Sequence, residues 1–348
     1  VFSVGSFVMA ANTVDGVGVK PNGWHCCASF DVTDWTPNVS TLSTRGQLVS
    51  SPGRITAGGR LGEYAVLYKE RAIYLGQFVG APAVWDFTLV IGGNAGCVGQ
   101  DAWCDIDGAH FIVGIDGLFV FDGSRPQPVG QGEYAQWFFD NSNPVYRYKT
   151  QCIYDRQNQR VWVHYCSTLS STLDSALVIH MPSKRVGHVT TSIESVLNYI
   201  GSGVTIDGMP AIAATIDGFG AYSFDSQFWI SGGRFLAAFG TDHQLRSITG
   251  TPGASSVTTG DAGDDNVYTL LTMIRLRFLP GKTPSAAQVQ TFTKERLGDD
   301  LTPATTVDIY DGRFDVLDSA RWHRATFNFM GEYTVTHLGA ALIPEGDV

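Results

Sequence analysis

Charged residues are scarce in this sequence. Only 16% of its 348 residues are Asp, Glu, Lys or Arg, against about 25% in an average soluble domain. Helical surfaces draw heavily on Glu, Lys and Arg, so a mainly helical protein is excluded and very little helix is expected. Basic residues are the scarcest class: 23 Lys and Arg against 33 Asp and Glu give a net charge of −10. They are scattered in small groups such as Lys69/Arg71, Lys184/Arg185 and Arg275/Arg277. No basic stripe exists to neutralise a phosphate backbone, which excludes tight nucleic-acid binding. An acidic channel would instead repel DNA and let it slide.

Cysteine is also sparse. The six (Cys26, Cys27, Cys97, Cys104, Cys152, Cys166) form neither a C-x-x-C pair nor a dense disulfide framework and are expected as free thiols. His25-Cys26-Cys27 has the look of a metal half-site, but no second ligand pair follows at finger spacing. H-E-x-x-H, G-x-S-x-G, Walker and dinucleotide fingerprints are all missing. So is any run approaching the ~18 apolar residues of a membrane helix, and no membrane span is expected. The opening "VFSVGSFVMAANTVDG" has no basic n-region and reads as a strand.

What the sequence does have is 40 glycines, 12% aromatics and many short alternating apolar runs, the composition of an all-β protein. Three segments superpose as strand, turn, strand: from Glu63, from Ala109 and from Pro210. Their turns are Lys69-Glu70-Arg71, Asp116-Gly117 and Asp217-Gly218. Asp-Gly between alternating runs is a hairpin signal because Gly accepts the positive φ of a tight turn. Between the second and third lies a further unit, Cys152 to Cys166 with its turn at Arg156 to Gln159, then Ala176 to Val189. Together these make one four-stranded unit. "NGWHCCASFDVTDWTPN" and "GQLVSSPGRITAGGRL" read as the preceding one. Repeats of four strands every 45 to 50 residues predict a β-propeller of four-stranded blades over residues 1–248. Residues 249–265, rich in Gly, Ser, Thr and Asp, read as a linker or loop. Residues 266–348 return to strands without the Asp-Gly hairpin phase, and predict a C-terminal antiparallel β element such as a small sandwich or platform.

Each candidate for chemistry has a plainer reading. Asp105, Asp107, Asp116 and Asp122 cluster in sequence like part of a calcium loop, but the remaining oxygen ligands are missing, and turns account for them. "SFDVTDWTP" (Ser29 to Pro37) resembles the Asp-box hairpins of sialidase propellers, with Thr33 in place of the glycine. No arginine triad accompanies it, which argues against a glycosidase. Asp261, Asp264 and Asp265 read as a solvated loop. The eight tryptophans, Trp24, Trp35, Trp85, Trp103, Trp137, Trp162, Trp229 and Trp322, spread over the repeats as blade cores do. No catalytic, cofactor-binding or metal-ligating set is assigned, and no cofactor is expected.

Taken in order, "DWTP" (Asp34 to Pro37), "YKERAIYLGQFVGAPAVWDF" (Tyr68 to Phe87), "GIDGLFVFDGSRPQPVG" (Gly114 to Gly130) and "IYDRQNQRVWVHY" (Ile153 to Tyr165) resemble the propeller-bearing tail hub or nozzle proteins of tailed bacteriophages. "GRFDVLDSARWHRATFNFMGEYTVTHLGAAL" is similar to the C-terminal platform strands of that family. The resemblance implies a structural virion protein, assembled in the host cytoplasm into a homo-oligomeric ring, commonly a hexamer, through which DNA is delivered. Its partners would be other copies of itself, the portal and adaptor, and tail fibres or spikes, with DNA only in transit and no turnover required. The alternative is a carbohydrate-binding propeller module for host-receptor recognition.

Overall fold

The computed structural model describes residues 1–16, 18–92, 94–202, 231–248 and 252–347. The chain divides into two units, Val1–Ile248 and Thr249–Val348. Both are built of antiparallel sheets, as the composition requires.

The first unit is a succession of meanders in chain order. Sheet one joins β1 (Phe2–Val4), β2 (Phe7–Asp15), β3 (Gly18–Cys26) and β4 (Thr44–Gln47). Sheet two joins β5 (Ile55–Leu61), β6 (Tyr64–Lys69), β7 (Ile73–Gly80) and β8 (Val84–Leu89). Sheet three joins β9 (Trp103–Asp105), β10 (His110–Val113), β11 (Leu118–Phe121) and β12 (Gln127–Val129). A short helix, α1 (Tyr134–Asn141), inserts Phe138 into the core before sheet four. That sheet runs β13 (Gln151–Asp155), β14 (Arg160–Tyr165), β15 (Leu173–His180), β16 (Val186–Ser202), β17 (Ser231–Gly240) and β18 (Leu245–Ser247).

The pattern of β6 explains why the sheets stack. Successive strand residues point to opposite faces, and Ala65, Val66, Leu67 and Tyr68 are all buried. Ala65 and Leu67 join Val4, Phe7, Met9 and Trp24 in a core shared with sheet one. Val66 and Tyr68 join Phe111, Ile112, Val161 and Val163 in a core continuing through sheets three and four. An uninterrupted apolar run here marks a sheet covered on both faces.

Three expectations change. "GRITAGGRL" does not finish the preceding meander: Ile55–Leu61 is the first strand of the next, pairing with β6. The Cys152–Val189 unit is not limited to four strands, because β17 adds to β16 and β18 to β17. The Asp116-Gly117 turn needs no positive φ. Val113 pairs with Leu118, so the loop has four residues, closed by Gly114 N–H donating to Gly117 O at 2.8 Å. Gly117 is absent from the left-handed residues. A Cβ at Gly114 or Gly117 would instead press on the Phe119 ring, at 2.8 and 3.0 Å. The hairpin expected from Pro210, with Asp217-Gly218, lies outside the described residues, as does Trp229. The described residues establish stacked antiparallel sheets and do not include a closed propeller.

The second unit is a sandwich. One sheet joins β19 (Ala254–Thr258), β25 (Trp322–Met330), β22 (Ala286–Lys294) and β23 (Thr302–Asp308), with β20 (Ala262–Gly263) also on β25. The other joins β24 (Arg313–Ala320), β21 (Val267–Phe278) and β26 (Val335–Asp347). Leu271, Ile274, Phe314 and Val316 from one sheet meet Val289, Phe327 and Phe329 from the other. The stretch 249–265 is therefore not all linker: polar β19 is an exposed edge strand, where apolar residues are not required. Asp311-Gly312, both left-handed, turns the chain from β23 in one sheet to β24 in the other.

Candidate functional site

The carboxylates singled out in the sequence are dispersed into turns and ion pairs. The loops Lys69–Ala72 and Gly114–Gly117 are closed by the same bond, N–H of the first residue to the carbonyl of the fourth. Their third residues, Arg71 and Asp116, pair across the two sheets at 2.5 Å. Asp105 and Asp107 both face Arg156, at 3.8 and 2.9 Å, in the next hairpin loop. Asp122 accepts from the Ser124 N–H at 2.9 Å and from its hydroxyl, which holds its carboxyl below the usual range. These exposed pairs contribute little stability each, about 0–1 kcal/mol, but they sit where neighbouring sheets meet.

In the sandwich, Asp261 receives Lys294 Nζ at 2.7 Å and Arg324 Nε at 2.6 Å, which keep its carboxyl low. Asp264 accepts from Asn266 N–H at 2.7 Å, and Asp265 from Trp322 Nε1 at 2.6 Å. Asp261 is thus tied into the sandwich by its two cations, while Asp264 and Asp265 are exposed, as a solvated loop would have them.

All six cysteines are free. Burial pushes five of the thiols up, Cys26 to about 11 and Cys97 to about 12, with Cys104, Cys152 and Cys166 also raised, as expected of thiols that pack as small apolar groups. Among the described residues no three His, Cys, Asp or Glu side chains gather as a metal site. The His25-Cys26-Cys27 triplet sends Cys26 into the core, while His25 faces the other side of the sheet.

His25 leads to a concave feature that brings together two of the sequence's separate signals. A cleft of about 440 Å³ lies on sheet one, lined by Asp15, Lys20, Trp24, His25, Trp35 and Arg45 among others. The β2–β3 hairpin places Asp15 beside Lys20, with Lys20 Nζ at 2.5 Å from the carboxylate, and Arg45 on β4 reaches the same oxygen at 3.3 Å. Arg45 is directly opposite His25 in the sheet register. Trp24 is backed by Phe87 at 4.7 Å and lies over Gly46, where a Cβ would come within 2.9 Å of the indole.

The Asp-box-like stretch supplies the remaining wall. Asp31 and Asp34 each accept a backbone N–H two residues on, from Thr33 and Thr36, both at 2.9 Å. Trp35 Nε1 donates to Val32 O at 2.9 Å. These local bonds hold the half-buried Trp35 edge-on to His25, 5.4 Å away at 85°. His25 Nε2 is enclosed and has no hydrogen-bond partner, and burial lowers its pKa so that the ring is neutral. Sequence reasoning saw His25 and Trp35 separately and passed over Asp15, Lys20 and Arg45. Only the hairpin register brings those three together.

Three other tryptophans are structural: Trp85 is buried beside Phe7, Trp103 lies on His110 at 4.5 Å, and Trp162 stacks on His164, whereas Trp137 on α1 is exposed. Tyr68 OH and His110 Nδ1 share a buried bond of 2.6 Å, and His110 Nε2 bonds Arg60 O at 3.0 Å, closing that network. No helix among the described residues is long and apolar enough to cross a membrane. Compared with known proteins, the chain matches no family model and no curated sequence.

Proposed function

We propose that the chain is an architectural component of a phage tail: a propeller-type hub or nozzle subunit that assembles with copies of itself into a ring through which DNA is delivered. Portal and adaptor proteins and tail fibres or spikes would be its neighbours.

The observation that carries this reading is the convergence of first strands. The side chain of Phe2 on β1 and that of Trp103 on β9 both pack on β5, at two adjacent glycines. A Cβ at Gly58 would come within 2.7 Å of the Phe2 ring, and one at Gly59 would overlap the Trp103 indole. Adjacent strand residues face opposite sides, so the two sheets press on β5 from opposite faces. The next sheet joins the series through Cys152 N–H, which donates to Asp101 O at 2.7 Å. First strands that pack on one another in chain order support a reading of the sheets as propeller blades. Loops that pair with the next sheet, at Arg71–Asp116 and Asp105–Arg156, fit the same plan. Phage-tail membership rests on the motif resemblance, and a net charge of −10 suits passage of DNA without adhesion.

Electron microscopy of the purified full chain, and of the particle it comes from, tests this. A symmetric ring with an acidic or neutral channel is expected. A stable monomer with no particle association, or a channel lined by Lys and Arg, would refute it.

A further inference from the structure

We propose that the cleft on sheet one is a binding site for a sugar residue that carries a carboxylate, such as a uronic or sialic acid.

Its size comes first. About 440 Å³ lies near the lower end of small-molecule sites, roughly 300–1,000 Å³, and suits one or two sugar rings. Its chemistry is that of a saccharide site. Trp35 is half-buried and fixed by its own Nε1 bond, so its ring needs no further ordering to receive a pyranose face. The His25 ring, 5.4 Å from Trp35 at 85° and with its Nε2 enclosed, makes a second flat wall of the cleft.

Charge then selects among sugars. The formally charged side chains lining the cleft are Lys20, Arg45 and Asp15, two cations against one anion in a protein whose overall charge is −10. Arg45 is half exposed and meets the Asp15 carboxylate through one terminal nitrogen at 3.3 Å, leaving much of its planar fork for a carboxylate. A neutral sugar would leave that local positive charge unanswered. A polyanion would meet the acidic remainder of the protein. One carboxylate on one ring matches both conditions.

The site is independent of ring assembly, and its test can be separated from the test of that reading. Titration of the full chain with methyl β-D-glucuronide, N-acetylneuraminate and methyl β-D-glucoside, followed by calorimetry and by saturation-transfer NMR, distinguishes the sources. Saturable binding of at least one acidic sugar is expected in the millimolar range or tighter, with the glucoside at least tenfold weaker. Arg45→Gln should remove the preference for the acid, bringing acidic and neutral sugars within about twofold. Trp35→Ala should abolish binding of both. Both residues are partly exposed, and unchanged circular dichroism and melting temperature would show that the variants fold. A glucoside affinity equal to that of the tighter-binding acid, absence of saturable binding by both acids, or an unaltered Trp35→Ala variant would each overturn the proposal.

Discussion

His164 offers a measurable link between burial and pH. It is 1% exposed on β14, flanked across the sheet by Gln151 and Ala176, and stacked on Trp162 at 5.9 Å with 14° between the rings. Neither ring nitrogen has a hydrogen-bond partner. Burial alone pushes its pKa from 6.5 down to about 4. The unfolded chain takes up a proton below about pH 6.5, and the folded chain does not until about pH 4. The stability associated with the neutral ring is therefore intact above 6.5 and lost as pH falls, with the loss complete near 4. The displacement corresponds to about 3 kcal/mol in full, of which about 2 kcal/mol falls between pH 7.5 and pH 5.

The perturbation is His164→Leu, which keeps an apolar contact with Trp162 and removes the titrating group. Urea unfolding of the full chain, followed by tryptophan emission, reads the first unit, which carries seven of the eight tryptophans. Wild-type protein should lose about 2 kcal/mol more than the variant between pH 7.5 and 5. Asp31, Asp122, Asp174 and Asp261 are all held low and titrate mainly below this window. His25 and His110 are also lowered and weaken both proteins alike, so the difference isolates His164. Parallel stability profiles for the two proteins would refute the reasoning.

Two further perturbations test how the units are built. Gly59→Ala drives a Cβ into Trp103 and should destabilise the first unit by about 1–3 kcal/mol, the usual range for overpacking; an unchanged urea midpoint would mean that the close approach of β5 and β9 does not constrain the fold. Asp261→Asn removes the partner of Lys294, which is 5% exposed, and of Arg324. It should lower the melting temperature of the sandwich at pH 7. Because the two cations hold the Asp261 carboxyl low, its contribution is present above the unfolded carboxyl range and lost as pH falls through the folded value, so variant and wild type should converge in acid. A gap that persists or widens there would rule out the ionic explanation.

The sequence made the strands legible and the partners of side chains much less so. Hairpins at Tyr64–Gly80, His110–Phe121 and Gln151–Tyr165 follow from alternation and turn residues, which are local. The assignment of Ile55–Leu61 does not, because nothing in "ITAGGRL" says whether it closes one meander or opens the next. That is decided by Gly58 and Gly59, whose missing side chains admit Phe2 and Trp103 from other sheets. Asp-Gly at 116–117 was a correct turn signal with a different cause: the glycine makes room for Phe119 instead of supplying positive φ. The polar run 254–258 gave no strand signal because an edge strand exposed on both faces needs no apolar residue.

The same distinction governs the cleft. Trp35 was visible in a turn motif and His25 in a cysteine-adjacent triplet, and each had a sound structural reading taken alone. What converts them into a site is the register His25 opposite Arg45 and the hairpin that returns Lys20 to Asp15. Both are relations between strands, with sequence separations of 20 and 5 residues, and neither has a spacing rule of the kind that a metal finger or a phosphate loop imposes. A saccharide makes few angular demands on its ligands beyond a flat apolar face and some convergent polar atoms. Its sites therefore carry almost no linear signature, and in a chain this poor in charge the place to look is where two of the few cations share one acid beside an indole.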